Sequence, residues 1–121
     1  MTWQELTHHV ELKKQLAADL ELLASLEAAG LATEAADIKP KIHQLEAEAA
    51  RSEAVIKDYI SAIKDARTQM IFLLRFIRGM TWKEVAASIG GISDSGVKAI
   101  CYRYITRGGP AQMGRPPKKP G

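Results

Sequence analysis

Hydroxyl, carboxylate and amino groups crowd into ten residues near the C-terminal end of the chain: Ser93, Asp94, Ser95, Lys98 and Tyr102. Val97, Ile100, Cys101 and Tyr104 run between them at steps of three and four. The segment therefore reads as a helix with one apolar stripe, its polar groups turned outward with Ala99 and Arg103. Side chains of these types on one helix face are hydrogen-bonding groups for a large, ordered partner. If this helix enters a major groove, Ser95 and Lys98 are the best candidates for meeting base edges, and Asp94 could accept from a cytosine amino group. Lys83, Arg103 and Arg107 are better placed for phosphate oxygens, which position a partner without reading it. The plainer alternative is a solvated basic face on a stability module, or a face that binds an acidic protein.

Other chemistries find no constellation. Ser93 and Ser95 have no His nearby in sequence, and Glu46 and Glu48 point to different faces of their helix. No Gly-rich phosphate loop follows a strand, because no strand is apparent. His8 and His9 are adjacent, so a helix turns them about 100° apart and they cannot form an i, i+4 metal pair. His43 is remote from both. The single cysteine, Cys101, lies on an apolar stripe and excludes an intramolecular disulfide framework. No catalytic role, metal or cofactor is expected.

The candidate face needs a scaffold, and Met80 to Ile105 supplies one. Thr81 and Glu84 stand at the spacing of a capping box, with Met80 and Val85 at the positions of a hydrophobic staple. A short helix, Trp82 to Ile89, ends at Gly90-Gly91, which can take left-handed conformations. Ser93 then caps the second helix. A short helix, a tight turn and a helix with basic outward residues form the signature of a helix-turn-helix. Val85, Ile89, Val97 and Ile100 are expected to close its core, with the small Ala86 where the helices cross. Trp82 is expected to anchor its short helix on the preceding one rather than to stack on a base.

Upstream, Trp3 to about Ala28 reads as one helix of roughly 39 Å. Leu6, Leu16, Leu20 and Leu23 form its seam, widened by Val10, Leu12 and Leu26, with His9 and Lys13 as polar interruptions. Gly30 is placed to end it, with Leu31 as hydrophobic partner. Residues 32–39 are ambiguous. Pro40 is expected in the first turn of the next helix, where proline is favoured. That helix runs to about Lys64, with a seven-residue repeat through Ile42, Leu45, Ala49, Ser52, Ile56, Tyr59 and Ile63. Two long helices joined by a short break predict an antiparallel hairpin. Asp65 caps a third helix, Ala66 to Arg78, whose Met70, Ile71, Leu73, Leu74, Phe76 and Ile77 make it apolar nearly all round. It is expected as the buried centre of the C-terminal unit.

Charge divides the 121-residue chain. Residues 1–63 carry six Lys/Arg and eleven Asp/Glu, whereas residues 64–121 carry eleven and three. An acidic first half joined to a basic second half is the footprint of an assembly module beside a polyanion-binding module. No apolar run approaches a membrane span, and no secretory leader is expected. One cysteine suits a reducing cytoplasm. The final stretch, 107–121, is basic, rich in Gly and Pro, and expected to be a flexible tail. Its Gly114-Arg115-Pro116 resembles the core of an AT-hook, a minor-groove element. Without that reading, Arg115, Lys118 and Lys119 add general attraction to phosphates.

Residues 65–105 resemble region four, the promoter-reading domain, of bacterial sigma factors. The likeness rests on the run Leu74 to Ala86 (L-R-F-I-R-G-M-T-W-K-E-V-A) and on Ser93, Val97, Ile100, Arg103 and Ile105. An acidic hairpin ahead of such a unit resembles small phage and prophage transcriptional regulators, the ArpU-like and RinA-like late-gene activators among them. The resemblance implies sequence-specific binding of double-stranded DNA at promoters, possible contact with RNA polymerase, and a place at the nucleoid in a bacterial cytoplasm. Two departures stand out: the turn is one residue longer than usual, and Asp94 and Gly96 replace early polar or basic positions.

The expectation is thus an all-α chain. Residues 1–64 form a coiled-coil-like hairpin that pairs two copies, 65–106 a sigma-like helix-turn-helix, and 107–121 a basic tail. Two rival functions share parts of this pattern. One is a phage small-terminase-like packaging protein; the other is an adaptor that binds RNA polymerase or a host regulator without touching DNA.

Overall fold

The computed structural model describes residues 1–107, which form helices and no strand. Helix α1 spans Trp3–Ala28. Its start is a capping box: Thr2 Oγ1 accepts from Glu5 N at 3.1 Å, and Glu5 Oε1 accepts from Thr2 N at 2.7 Å. Its end is a Schellman motif about Gly30 at φ +77°, in which Leu31 N donates to Leu26 O and Gly30 N to Glu27 O.

Helix α2 spans Ala32–Ser61 and follows almost without a loop. Pro40 is therefore its ninth residue and not part of a first turn, and the ambiguous residues 32–39 are helical. Proline at this depth leaves the carbonyl four residues back, that of Ala36, without its donor. Ala36 is exposed, so water can serve that carbonyl. The segment is also held on α1: Ala35 is buried, and ion pairs Lys39–Glu27 and Lys41–Asp19 (3.6 and 3.3 Å) bracket the proline. Packing of one face overrides the local penalty.

The two helices form the antiparallel hairpin. Ile42, Ala49, Ile56 and Ile63 are buried at seven-residue intervals, with Leu45, Ser52 and Tyr59 half-buried between them. On α1 the inward line runs Leu12, Leu16, Asp19, Leu23 and Leu26; Leu20 falls beside it and is 42% exposed. Asp19 takes the seam position, accepting from Gln15 Nε2 at 2.9 Å and facing Lys41. The other interruptions are also partnered. His9 is fully buried with Nδ1 on Ser52 Oγ, and Lys13 pairs with Glu53 at 3.2 Å. Desolvation lowers the His9 pKa, helped by the Lys13 charge. Ser52 is the small seam residue that receives that imidazole.

Asp65 caps α3 (Ala66–Phe72), accepting from both Thr68 N and Thr68 Oγ1; these bonds lower its pKa. The helix continues as a π-helical segment, Leu73–Ile77, and turns at Gly79. Only Ile71, Phe72 and Phe76 of this apolar stretch are fully buried. Met70 is 48% and Leu73 36% exposed. The stretch is thus not buried all round, because the hairpin and the last two helices cover only one side of it. Helices α4 (Trp82–Ile89) and α5 (Asp94–Thr106) complete the chain.

One core joins all these elements. Leu6 and Val10 of α1, Ile56 and Ile60 of α2, and Ile63 meet Ile71, Phe72 and Phe76, then Val85, Ala86, Val97, Cys101 and Ile105. The near end of the hairpin is part of the same core as the helix-turn-helix, while its far end projects from it.

Candidate nucleic-acid interface

Helix α4 begins with the second capping box: Thr81 Oγ1 accepts from Glu84 N at 3.1 Å, and Glu84 Oε1 from Thr81 N at 2.8 Å. The residues here read T-W-K-E, and those at the start of α1 read T-W-Q-E. Each motif puts a tryptophan at the first helical position, and the two rings stack, 6.1 Å apart and 7° from parallel. Both also meet Phe76 edge-on. Arg75 lies over the Trp82 ring at 4.6 Å and donates from Nη1 to Met80 O at 2.8 Å. Burial lowers its pKa, and its side chain is spent on holding the entry to α4. Trp82 is thereby committed to packing.

The turn after α4 contains two consecutive left-handed glycines, Gly90 (φ +80°, ψ 147°) and Gly91 (φ +71°). A side chain at Gly90 would be strained in this backbone region. The pair turns the chain, and Ile92 after it packs against the core. Gly96 has a reason of its own: a Cβ there would lie 2.8 Å from Ile92 Cγ1 and 3.2 Å from Cδ1. The missing side chain early in α5 is a packing requirement of the turn.

Helix α5 buries Val97, Cys101 and Ile105, with Ile100 and Tyr104 half-buried. Burial pushes the Cys101 thiol up to about 12, which makes it a packing group at neutral pH. The outward residues sort into distinct roles. Ser93 Oγ accepts from Gly96 N at 3.1 Å and lies 3.2 Å from Ser95 Oγ, so Ser93 serves the helix start. Asp94, Ser95 and Lys98 are exposed beside it. Tyr102 is 51% exposed, but its ring stands edge-on against Trp3 at 5.4 Å. Lys83, Arg103 and Arg107 are exposed. Arg115, Lys118 and Lys119, with the AT-hook-like stretch, lie outside the described residues.

The ion pairs divide the molecule. All those among the described residues lie within the hairpin, between His8 and Lys57. From Lys64 to Arg107 no described Lys or Arg stands in one. Of the three acids in that stretch, Asp65 and Glu84 are engaged in capping backbone amides, and Asp94 lies in the first turn of α5. Positive charge is left uncompensated around α5.

Comparisons with protein-family models, curated proteins and solved structures give no match. Among the described residues no group of three His, Cys, Asp or Glu could hold a metal ion, and no helix is long and apolar enough to cross a membrane. Reading of the sequence missed Trp3 and Arg75 as supports of this face. The repeated T-W-x-E was the available signal for Trp3. Nothing in the local pattern marks Arg75, whose partners come from the next helix.

Proposed function

We propose that the chain binds double-stranded DNA through α5 and acts as a sequence-specific transcriptional regulator, similar to sigma region four and of phage or prophage origin. In this reading Lys98 and Ser95 approach base edges, with Asp94 and Tyr102 at the margins of the contact. Lys83, Arg103 and Arg107 hold phosphates, and the tail residues Arg115, Lys118 and Lys119 add to that attraction. The chain works as a homodimer through residues 1–64, and RNA polymerase is its further partner at promoters. It is not an enzyme.

The observation that carries the reading is the split in charge compensation. Five of the six Lys and Arg of the hairpin, all but Arg51, stand in ion pairs, whereas those around α5 stand in none. Uncompensated cations repel one another in a folded protein, and a polyanion relieves this by exchanging its condensed counterions for them. A helix held at its start by a Ser cap, after a tight glycine turn, suits insertion into a major groove.

Fluorescence anisotropy with labelled duplexes over a salt series tests this. Binding should weaken with salt, and Arg103→Ala with Arg107→Ala should flatten the log–log slope by about 0.9 per lost phosphate contact. Lys98→Ala should reduce the preference for a selected site over random duplex, leaving random binding nearly unchanged. Negligible affinity for all duplexes at low salt would sink the proposal and favour the protein-binding adaptor.

A further inference from the structure

One flank of α2 carries Asp37, Lys41, Gln44, Glu48, Arg51, Val55 and Asp58, at alternating steps of four and three. That spacing sets all seven along one side of the helix. All are exposed except Glu48, which is half-buried. Ala47 stands between Gln44 and Arg51, and Ala54 between Arg51 and Asp58; both are exposed, so the outer edge of this side is low. Two members are without partners. Arg51 is the one Lys or Arg of residues 1–63 in no ion pair. Val55, 58% exposed, is the most exposed large hydrophobic among the described residues. It borders an open groove of about 320 Å³ between the start of α1 and α2, lined also by Met1, His8, Arg51 and Ile56.

The order of charges along this flank is self-complementary. Laid antiparallel on a copy of itself, about a twofold axis between positions 49 and 50, Glu48 faces Arg51, Lys41 faces Asp58 and Gln44 faces Val55. Each contact occurs twice. Other registers bring like charges together. A slip of seven residues sets Glu48 on Asp58 in one direction and Lys41 on Arg51 in the other. A slip of half that length sets Glu48 or Arg51 against its own copy. A parallel pair in register sets every charge on its like. Charges beside a helix–helix seam select direction and register in this way. The contact from Asp37 to Asp58 spans roughly 30 Å of helix. An isologous contact of this kind closes at two copies.

We propose that this flank of α2 is the surface through which two copies of the chain pair, antiparallel, with Glu48 of each on Arg51 of the other and Lys41 on Asp58. Ala47 and Ala54 admit the second helix, and Gln44 of the second copy covers Val55 beside the groove. The inference rests on the pairing through residues 1–64 proposed above and names its contact. Its test contains no DNA, so it fails or stands apart from the reading of α5.

Sedimentation velocity of the full chain over about 5–200 μM should show a reversible dimer whose dissociation constant rises with salt. Arg51→Glu and Glu48→Arg should each raise that constant at least about tenfold, because each turns two attractive contacts into repulsive ones. Mixed together, the two variants should pair with each other about as tightly as the parent pairs with itself, since the acidic flank of one then meets the basic flank of the other. A chain that had merely lost its fold would not be restored by mixing. Single-cysteine variants read the register, since Cys101 is fully buried. A short bismaleimide should join Gln44→Cys chains to Val55→Cys chains, and neither to itself. A monomer throughout would overturn both this contact and the pairing it rests on. A dimer indifferent to both charge reversals, no association of the mixed variants, or cross-links only between like variants would overturn this contact and leave the pairing to another face of the hairpin.

Discussion

Gly96→Ala is the substitution whose effect the turn geometry decides most sharply. By helix propensity alone, alanine should stabilise α5 by up to about 1 kcal/mol. The added Cβ, however, would sit 2.8 Å from Ile92 Cγ1, 3.2 Å from Ile92 Cδ1 and 3.2 Å from Ser93 Oγ. Ile92 is half-buried against the core and cannot simply swing away. Ser93 Oγ holds the Gly96 amide, and loosening that cap costs about 1 kcal/mol. Overpacking of this kind costs roughly 1–3 kcal/mol, so the net effect should be a destabilisation of about 1 kcal/mol. The same substitution placed on Ile92→Ala should behave differently. Both close carbons are then gone, and Gly96→Ala should become neutral or stabilising by several tenths of a kcal/mol. The cycle predicts a coupling of about 1–2 kcal/mol between the two positions. Urea denaturation of the four proteins, followed by far-ultraviolet circular dichroism, measures it. Stabilisation by Gly96→Ala in the parent chain, or equal effects in both backgrounds, would refute the packing account of this glycine.

Further outcomes follow from the core and its buried groups. Trp3→Ala should cost about 2–3 kcal/mol, below the figure for a fully buried tryptophan because Trp3 is only half-buried. It should shift fluorescence and circular dichroism transitions together, and separate transitions for hairpin and helix-turn-helix would contradict a shared core. His9 has a folded-state pKa below its ordinary value, so the unfolded chain takes up its proton first as the solution is acidified. Stability should therefore be unaffected by His9 above about pH 6.5 and decline from there down to the folded-state pKa. Urea midpoints for parent and His9→Gln compared between about pH 7.5 and 5.5 should show a smaller decline in the variant. The Cys101 thiol, buried and pushed up to about 12, should resist an aromatic disulfide reagent at pH 8 in the folded protein and react at once in urea; rapid reaction without denaturant would contradict its placement in the core.

Periodicity and capping made most elements legible from residue types. Thr81 with Glu84, Ser93, Asp65 and the Gly30-Leu31 pair each act within a few residues, so their geometry follows from local chemistry. The repeat Ile42, Ala49, Ile56 and Ile63 likewise marks its own buried face. The readings that needed correction concern what lies on the other side of a helix. Pro40 was expected at a helix start because its local preference is clear. In the structure the buried Ala35 and the ion pairs to α1 outweigh it. Leu20 fits a seam spacing, yet the rotation of α1 against α2 puts Asp19 inward. Leu73 and Met70 belong to a run apolar on every side, and only the number of neighbours available decides which of those sides is covered.

The sequence by itself determined that this chain is helical, where the capped helices α3, α4 and α5 begin, and that cations gather in its second half. Those properties rest on backbone preferences and composition, which act along the chain. Tertiary structure alone decided that Trp3 stacks on Trp82, that Arg75 is spent on the entry to α4, and that Gly96 is required by Ile92. It also decided which cations remain without acidic partners. Each of these depends on how side chains meet in space, across the whole chain for Trp3 and Trp82 and across a turn for Arg75 and Gly96, and neither spacing nor composition carries that information.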